Sequence, residues 1–505
     1  MNPHMCTSRV ARRSPRPAVQ RPGDEGVALV VVLLLTVALS TIGASLLILA
    51  QTDTYTSMNY RMMSQARYGA ESGVLKAVNY LTHAYVAPGS AGDPLTSYDM
   101  TVSPVRFGGQ PVVLSADLSQ ANYPSAAVKA AFAAAAAGTL DAKATVSYTA
   151  YATLISMRSI QEYGAASPRV LQTWRITAIG SLAGSRPATV EVESILERQG
   201  AAAHNFGVFA TKIECAAIDF SGGSVNDSYD SSSMTFSGGV PVTDLSGGSV
   251  GTNGNLTVNG NAQVYGTLST PRTGVGNCKS GAITALTAGG KADVHEGLIQ
   301  LPQSLLFPAP DPPTPMPPTT NMNLSSTNCT TLGMSSPGCS GSPGNIRFDA
   351  LGGTMLLGSV TANAGAIITL RAGTYNINSL SLSGGATLVI ESGPVYLNIA
   401  GVGTSEPMDL TGGQISNPSF VPTNFHILYG GTGNLKLAGG SAAAALIYAP
   451  NAHVLVAGGS NFYGAIVGST VQDTGGTHFH YDRTLKDDFF VAGNYMMSSF
   501  TWRKY

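Results

Sequence analysis

The feature that most constrains this chain is Val27–Ala50, twenty-four consecutive uncharged residues reading VALVVVLLLTVALSTIGASLLILA. As a helix rising ~1.5 Å per residue it is about 36 Å long, enough to cross the ~30 Å hydrocarbon core of a bilayer. Five arginines (Arg9, Arg12, Arg13, Arg16, Arg21) precede it, and everything after Ala50 must lie on one side of the membrane. The arginine-rich short end is expected in the cytoplasm, with the C-terminal bulk periplasmic or outside the cell. Hydropathy alone reads this as an ordinary single-pass inner-membrane anchor.

The junction narrows that reading. The leader ends Pro22-Gly23-Asp24-Glu25-Gly26 and the apolar run starts at once, with no small-x-small site behind it, so a secretory signal peptide fits poorly. A basic leader ending in Gly before an apolar run resembles a type IV prepilin. That resemblance implies cleavage between Gly26 and Val27 by a prepilin peptidase. The family's usual Phe at the first mature position and Glu at the fifth are here Val27 and Val31. Beyond the span, Gln65-Ala66-Arg67-Tyr68-Gly69-Ala70-Glu71-Ser72-Gly73 is similar to the Ala-Glu-Ala-Gly signature of PilX N-terminal regions. Resemblance to PilX-type minor pilins implies assembly with other pilins and pilus assembly proteins into a type IV pilus. Ala66, Ala70, Gly73, Ala77 and Leu81 recur at three and four residues. Such a stripe of mostly small side chains lets another helix approach closely, or packs on the protein's own globular domain. Glu71 beside it reads as a packing or pairing residue, and Pro88 is expected to end the helix.

Charge limits the partners. Without residues 1–26 the chain keeps 22 basic residues of 27 and 26 acidic residues of 28, a net charge of −4 with His neutral. Nucleic-acid binding needs clustered Lys and Arg, and no such field remains. Cys6 lies in the leader, leaving Cys215, Cys278, Cys329 and Cys339 on the oxidising side, where three pairings are open. Cys329 with Cys339 closes a short loop, which leaves Cys215 with Cys278. The spacings contain no CxxC pair, so a zinc site is not expected.

Residues 87–200 read as a small α+β domain. Ala126–Ala137 is an Ala-dominated helix with Ser125 as cap and Gly138 as stop. Lys143–Arg158, Arg169–Leu182 and Pro187–Glu197 are extended runs, the last two joined by a hairpin at Ala183-Gly184-Ser185-Arg186. A long N-terminal helix laid on such a sheet agrees with the pilin resemblance.

From about Ala201 to Asp482 the texture changes. Glycine pairs begin at 222, 238, 247, 289, 352, 384, 412, 430, 439, 458 and 475, between short apolar runs such as Thr387–Ile390 and Ala445–Tyr448. Short strands with Gly-rich corners predict a right-handed parallel β-helix, whose coils each leave an apolar face for the next to cover. An antiparallel β-sandwich is the alternative. Open ends of a solenoid invite strand pairing, so caps are expected: the pilin-like domain at one end and residues 483–505 at the other. Leu306–Thr320, with seven prolines, reads as a polyproline excursion carrying Cys329 and Cys339 on its far side. Asn461–Gly468, His478–Asp482 and Asp227–Ser231 resemble the Gly-rich C-terminal domain attached to large PilX-like proteins.

His478, His480 and Asp482 are the one concentrated set of metal-ligand types, since residues two apart on a strand share a face. The competing reading is a terminal coil hydrogen-bonded to its cap, and no metal or cofactor is expected. Asp349, Glu391, Glu406 and Asp409 are too scattered for the paired carboxylates of a glycosidase. Two functions remain. One is a non-catalytic minor pilin, at or near a filament tip, with an exposed β-helical head for surface or glycan contact. The other is a membrane-tethered β-helix that binds or degrades polysaccharide.

Overall fold

A computed structural model of the chain describes residues 25–504, apart from 90–91, 142–144, 185 and 439–442. The basic leader through Asp24, Cys6, Lys143, Ser185 of the expected hairpin and the Gly439–Gly440 pair lie outside the described residues.

Glu25–His83 is one unbroken helix, α1, of 59 residues. It is exposed from Val27 to Arg61, and the hydroxyls of Thr36, Ser40, Thr41, Ser45 and Thr52 donate to carbonyls three or four residues back. These hydroxyls are therefore satisfied by the helix's own backbone and need no water. The helix stops at His83, five residues before Pro88, where Tyr85 turns inward to pack edge-on against Trp174 at 5.7 Å.

The last third of α1 lies on an antiparallel sheet built from Val113–Ser115, Ala137–Thr139, Val146–Ile160, Arg169–Leu182, Ala188–Ala202 and Phe490–Lys504. Ala66, Ala70, Val74, Ala77 and Leu81 are buried there with Trp174, Ile176 and Ala178. The approach is set by glycine: a Cβ on Gly180 would stand 1.9 Å from the Ala66 carbonyl oxygen and 2.3 Å from the Ala70 nitrogen. A second helix, α2 (Ala126–Ala135), opens with Ser125 accepting from the Val128 amide and packs Phe132 against Tyr80.

The remainder is a three-faced parallel β-helix. Among the described residues the first face stacks ten rungs, from Leu298–Gln300 through Leu268, Val250, Val208, Ile466, Ile447, Ile427, Leu397 and Ile377 to Leu357. The coils stack through parallel ladders, with antiparallel strand pairing in this part, among the described residues, confined to short hairpins at Phe236–Pro241 and Cys339–Phe348, which excludes the antiparallel sandwich. Inward side chains form one continuous apolar core. One corner is a column of glycines: a Cβ on Gly260 would lie 2.8 Å from Gly222 O, and one on Gly290 would lie 2.7 Å from Gly260 O. Coils ~4.8 Å apart leave no room for a side chain at that bend. The Gly238–Gly239 pair departs from this pattern and sits in a small antiparallel hairpin.

Coil order departs from sequence order. The chain enters at Val208–Ala210, the fourth rung of the first face, and winds to one end at Leu298–Gln300. The proline segment then runs back along the first face, touching Asn253 at Leu305, Tyr448 at Pro308, Asn376 at Pro315 and Ser359 at Thr320. From Asn321 the chain winds up again until Ile466–Asp482 pairs with Val208–Tyr229. Nine rung spacings span about 43 Å, and residues 301–320, extended at ~3.1 Å each, reach that far. The segment is thus a strap joining the two ends.

Both expected caps are corrected. Phe490–Lys504 leaves the solenoid and pairs antiparallel with Ala188–Ala202, so the small domain takes its sixth strand from the C-terminus. That domain sits against the side of the first face near His426 and Tyr448, not over an end. One end is closed by residues 324–344, where Leu324, Cys329 and Cys339 join the core and the Cys329–Cys339 bridge holds the loop. At the other end Leu298 and Ile299 stand exposed, and the Cys215–Cys278 bridge ties the adjoining insertion to its coil. Ala201 still belongs to the small sheet, and the first solenoid strand is Val208–Ala210.

Candidate functional site

The apolar half of α1 is the one helix among the described residues long and apolar enough to cross a membrane. Val27 and Val31 are exposed on it, and Gly26 lies in its first turn. The small-residue stripe is not open to another subunit. Ala66 and Ala70 have no exposed surface, and a Cβ on Gly73 would come within 3.0 Å of Ala178 Cβ, so the stripe serves contact with the protein's own sheet. Glu71 pairs with Arg67 at 2.7 Å, an i,i+4 ion pair on the flank.

His480 and Asp482 lie at the seam where the last coil meets the first. Asp227–Tyr229 runs parallel and in register with His480–Asp482, across some 250 residues of sequence. His480 Nδ1 is 2.5 Å from Asp227 Oδ1, its Nε2 is 3.1 Å from Asn461 Oδ1, and its ring lies 4.5 Å from that of Tyr463. Asp482 accepts from the Ser231 and Thr484 amides and caps the short turn Arg483–Asp487. His478 is exposed, its ring 6.2 Å from that of His480. The trio forms no three-ligand cluster among the described residues; His480 and Asp482 Oδ1 fasten the seam, while the buried Asp482 Oδ2 has no hydrogen-bond partner there. The four scattered carboxylates are likewise occupied. Glu391 meets Arg347, Asp349 meets Arg371, Glu406 meets Lys436, and Asp409 accepts from Thr411.

Where the small domain docks on the first face, the structure assembles Tyr163, His204, His426, Tyr448 and Phe489. Tyr163 Oη and His426 Nδ1 are 2.8 Å apart, and the Tyr163 ring lies 5.2 Å from His204 and 5.3 Å from Tyr448. Both ring nitrogens of the fully buried His204 lack a partner among the described residues. Burial pushes His204 down to about 3, with His426 adding to it, and pushes His426 down to about 4. Both are neutral at physiological pH. These residues come from four distant segments, and nothing in their local sequence marks them.

Beside this cluster opens a cavity of about 480 Å³, walled by residues 161–166, the strap at 311–314, and Thr374, Tyr396 and Asn398 of the solenoid. Arg169 bridges Glu162 at 3.2 Å and Asp311 at 3.1 Å. The Ala492 amide donates to Glu162 at 2.7 Å, and the Ala166 amide to Asp311 at 2.9 Å. Tyr396 stacks on His426 with ring centroids 4.5 Å apart and planes 18° from parallel.

Residues 378–488 match a family described as a domain of unknown function, DUF7305, a segment that takes in Asn461–Gly468 and His478–Asp482. No curated protein matches the chain. Among solved structures, the crystal structure of the competence-associated pilin ComZ from Thermus thermophilus aligns over 88% of this chain and 97% of its own. Its identity is 14% and its TM-score 0.25, a level that adds nothing to the fold described above.

Proposed function

We propose that this chain is a structural, non-catalytic minor pilin of the PilX type. In this reading α1 holds it in the inner membrane after cleavage behind Gly26, with the C-terminal bulk periplasmic until assembly, and it is carried at or near the tip of a type IV pilus-like filament. The observation that carries the reading is α1 itself: one 59-residue helix, bare and apolar in its first half and fixed to an antiparallel sheet in its last third. The bare half packs on nothing else among the described residues, so it calls for lipid or neighbouring helices. A tip position is supported by Val31, which supplies no carboxylate for the amine of a subunit above. It is supported also by a solenoid about 43 Å long, far too bulky to repeat at close axial spacing.

Immunogold labelling of sheared filaments tests this. Label confined to filament ends is expected. Even labelling along the shaft, or label absent from filaments, contradicts it.

A further inference from the structure

We propose that the cleft between the 161–166 loop, the proline strap and the first face of the solenoid binds a neutral saccharide. The assignment stands on the cleft alone and holds or fails independently of filament placement.

The walls fix the ligand's charge first. Arg169 is held between Glu162 and Asp311, and each carboxylate also accepts a backbone amide. Arg169 is already engaged by both acids, so it offers no spare charge to an anion. The carboxylates are spent on locking the loop to the strap, and Asp311 N donates to Gly164 O at 2.8 Å to complete that lock. Such a wall is built before a ligand arrives, which lowers the cost of binding.

Uncharged groups then remain to make the contacts. Asn398 donates to Asn376 Oδ1 at 2.9 Å, and Gln161 donates to Ala165 O at 2.9 Å. The amide oxygens of both, and the hydroxyls of Tyr396 and Thr374, have no protein hydrogen bond among the described residues. Amide oxygens accept, while hydroxyls donate or accept. The set asks for a ligand with several hydroxyl donors and little charge.

An apolar ring face completes the description. One face of Tyr396 is covered by His426. The residue in register one rung beyond its other face is Thr374, whose side chain is small and lines the same cleft. A pyranose offers what this arrangement lacks, a C–H face for the tyrosine and a rim of hydroxyls for the amides. A cavity of about 480 Å³ lies within the ~300–1,000 Å³ range of small-molecule sites.

The test titrates the full chain, held in a detergent without a sugar headgroup, with the trisaccharides of N-acetylglucosamine, β-linked glucose and α-linked glucose, read by ligand-observed NMR and calorimetry. Trilysine and an acidic sialylated trisaccharide serve as charged probes. At least one neutral trisaccharide is expected to bind at millimolar concentration or below. Tyr396→Ala and Thr374→Phe should each weaken it about tenfold or more, equivalent to ~1.4 kcal/mol. Tyr396→Phe keeps the ring and should lose far less, and Tyr265→Ala, at a stacked Tyr–His pair outside the cleft, should change nothing. If Tyr396→Ala fails to fold, Thr374→Phe and Asn398→Ala carry the same comparison. Absence of binding by all three neutral trisaccharides, binding that survives Thr374→Phe, or preference for either charged probe overturns the assignment.

Discussion

Gly180→Ala adds one methyl group where α1 crosses the sheet most closely. That Cβ would sit 1.9 Å from the Ala66 carbonyl oxygen and 2.3 Å from the Ala70 nitrogen, both backbone atoms that no rotamer change can move. Restoring an ordinary separation of ~3.5 Å requires the helix to retreat by more than an ångström. Retreat would open a gap along Ala66, Ala70, Val74 and Ala77, all now without exposed surface. Overpacking a core costs ~1–3 kcal/mol. With the gap added, the expected loss is at the upper end, about 3 kcal/mol, or roughly 6–12 °C in Tm for a unit of this size. Guanidinium unfolding of the detergent-held chain reads it through the fluorescence of Trp174, buried in the same core. Two controls grade the argument. Gly73→Ala meets Ala178 Cβ at 3.0 Å and should lose about 1 kcal/mol, while Gly43→Ala meets nothing within 4 Å and should leave the midpoint unmoved. A Gly180→Ala protein within ~0.5 kcal/mol of the parent, the scale of an ordinary surface substitution, would refute the close approach.

Two further outcomes follow from the docking of the small domain and the strap. Phe307→Ala removes a buried ring 4.5 Å from Phe209 and should cost about 3 kcal/mol, with the strap becoming cleavable by protease; an uncleaved strap would sink this. Acid should loosen the same junction. His204 and His426 are held down to about 3 and about 4, against ~6.5 in the unfolded chain, so the unfolded state binds more protons between those values. Their contribution is full above pH ~6.5 and is lost as pH falls toward 4, at up to ~1.4 kcal/mol per pH unit for each imidazole. Unfolding midpoints at pH 7, 5.5 and 4.5 should fall more steeply for the parent than for His204→Phe, and equal slopes would count against it.

Local pattern made the architecture legible. Twenty-four uncharged residues announce a helix long and apolar enough to cross a membrane, and short apolar runs between glycine pairs announce a solenoid, because both signals repeat within a few residues of themselves. Long-range pairing leaves no such trace. Phe490–Lys504 finds its partner some three hundred residues away in Ala188–Ala202, and its aromatic, charged composition reads equally well as a cap. Coil order was hidden for the same reason: Val225–Tyr229 carries no mark that His478–Asp482 will lie beside it. The prolines near residue 310 exclude helix and central strand, but only the fold shows that a stiff extended segment there bridges two solenoid ends. The stripe at Ala66–Leu81 was legible as a close-packing surface and silent about its partner, which turned out to be Gly180 of the same chain. The cleft at Tyr396 was illegible, since its walls come from three segments that meet only after the strap is laid down.

In the proposed function α1 begins life behind a removable leader and ends as the exposed stem of a pilin-like subunit. The N-terminal residue of the protein extracted from membranes tests this most directly. Val27 is the expected first residue, with Met1–Gly26 gone and the apolar helix intact. A chain that still begins at Met1, or one cut beyond Ala50, would contradict it.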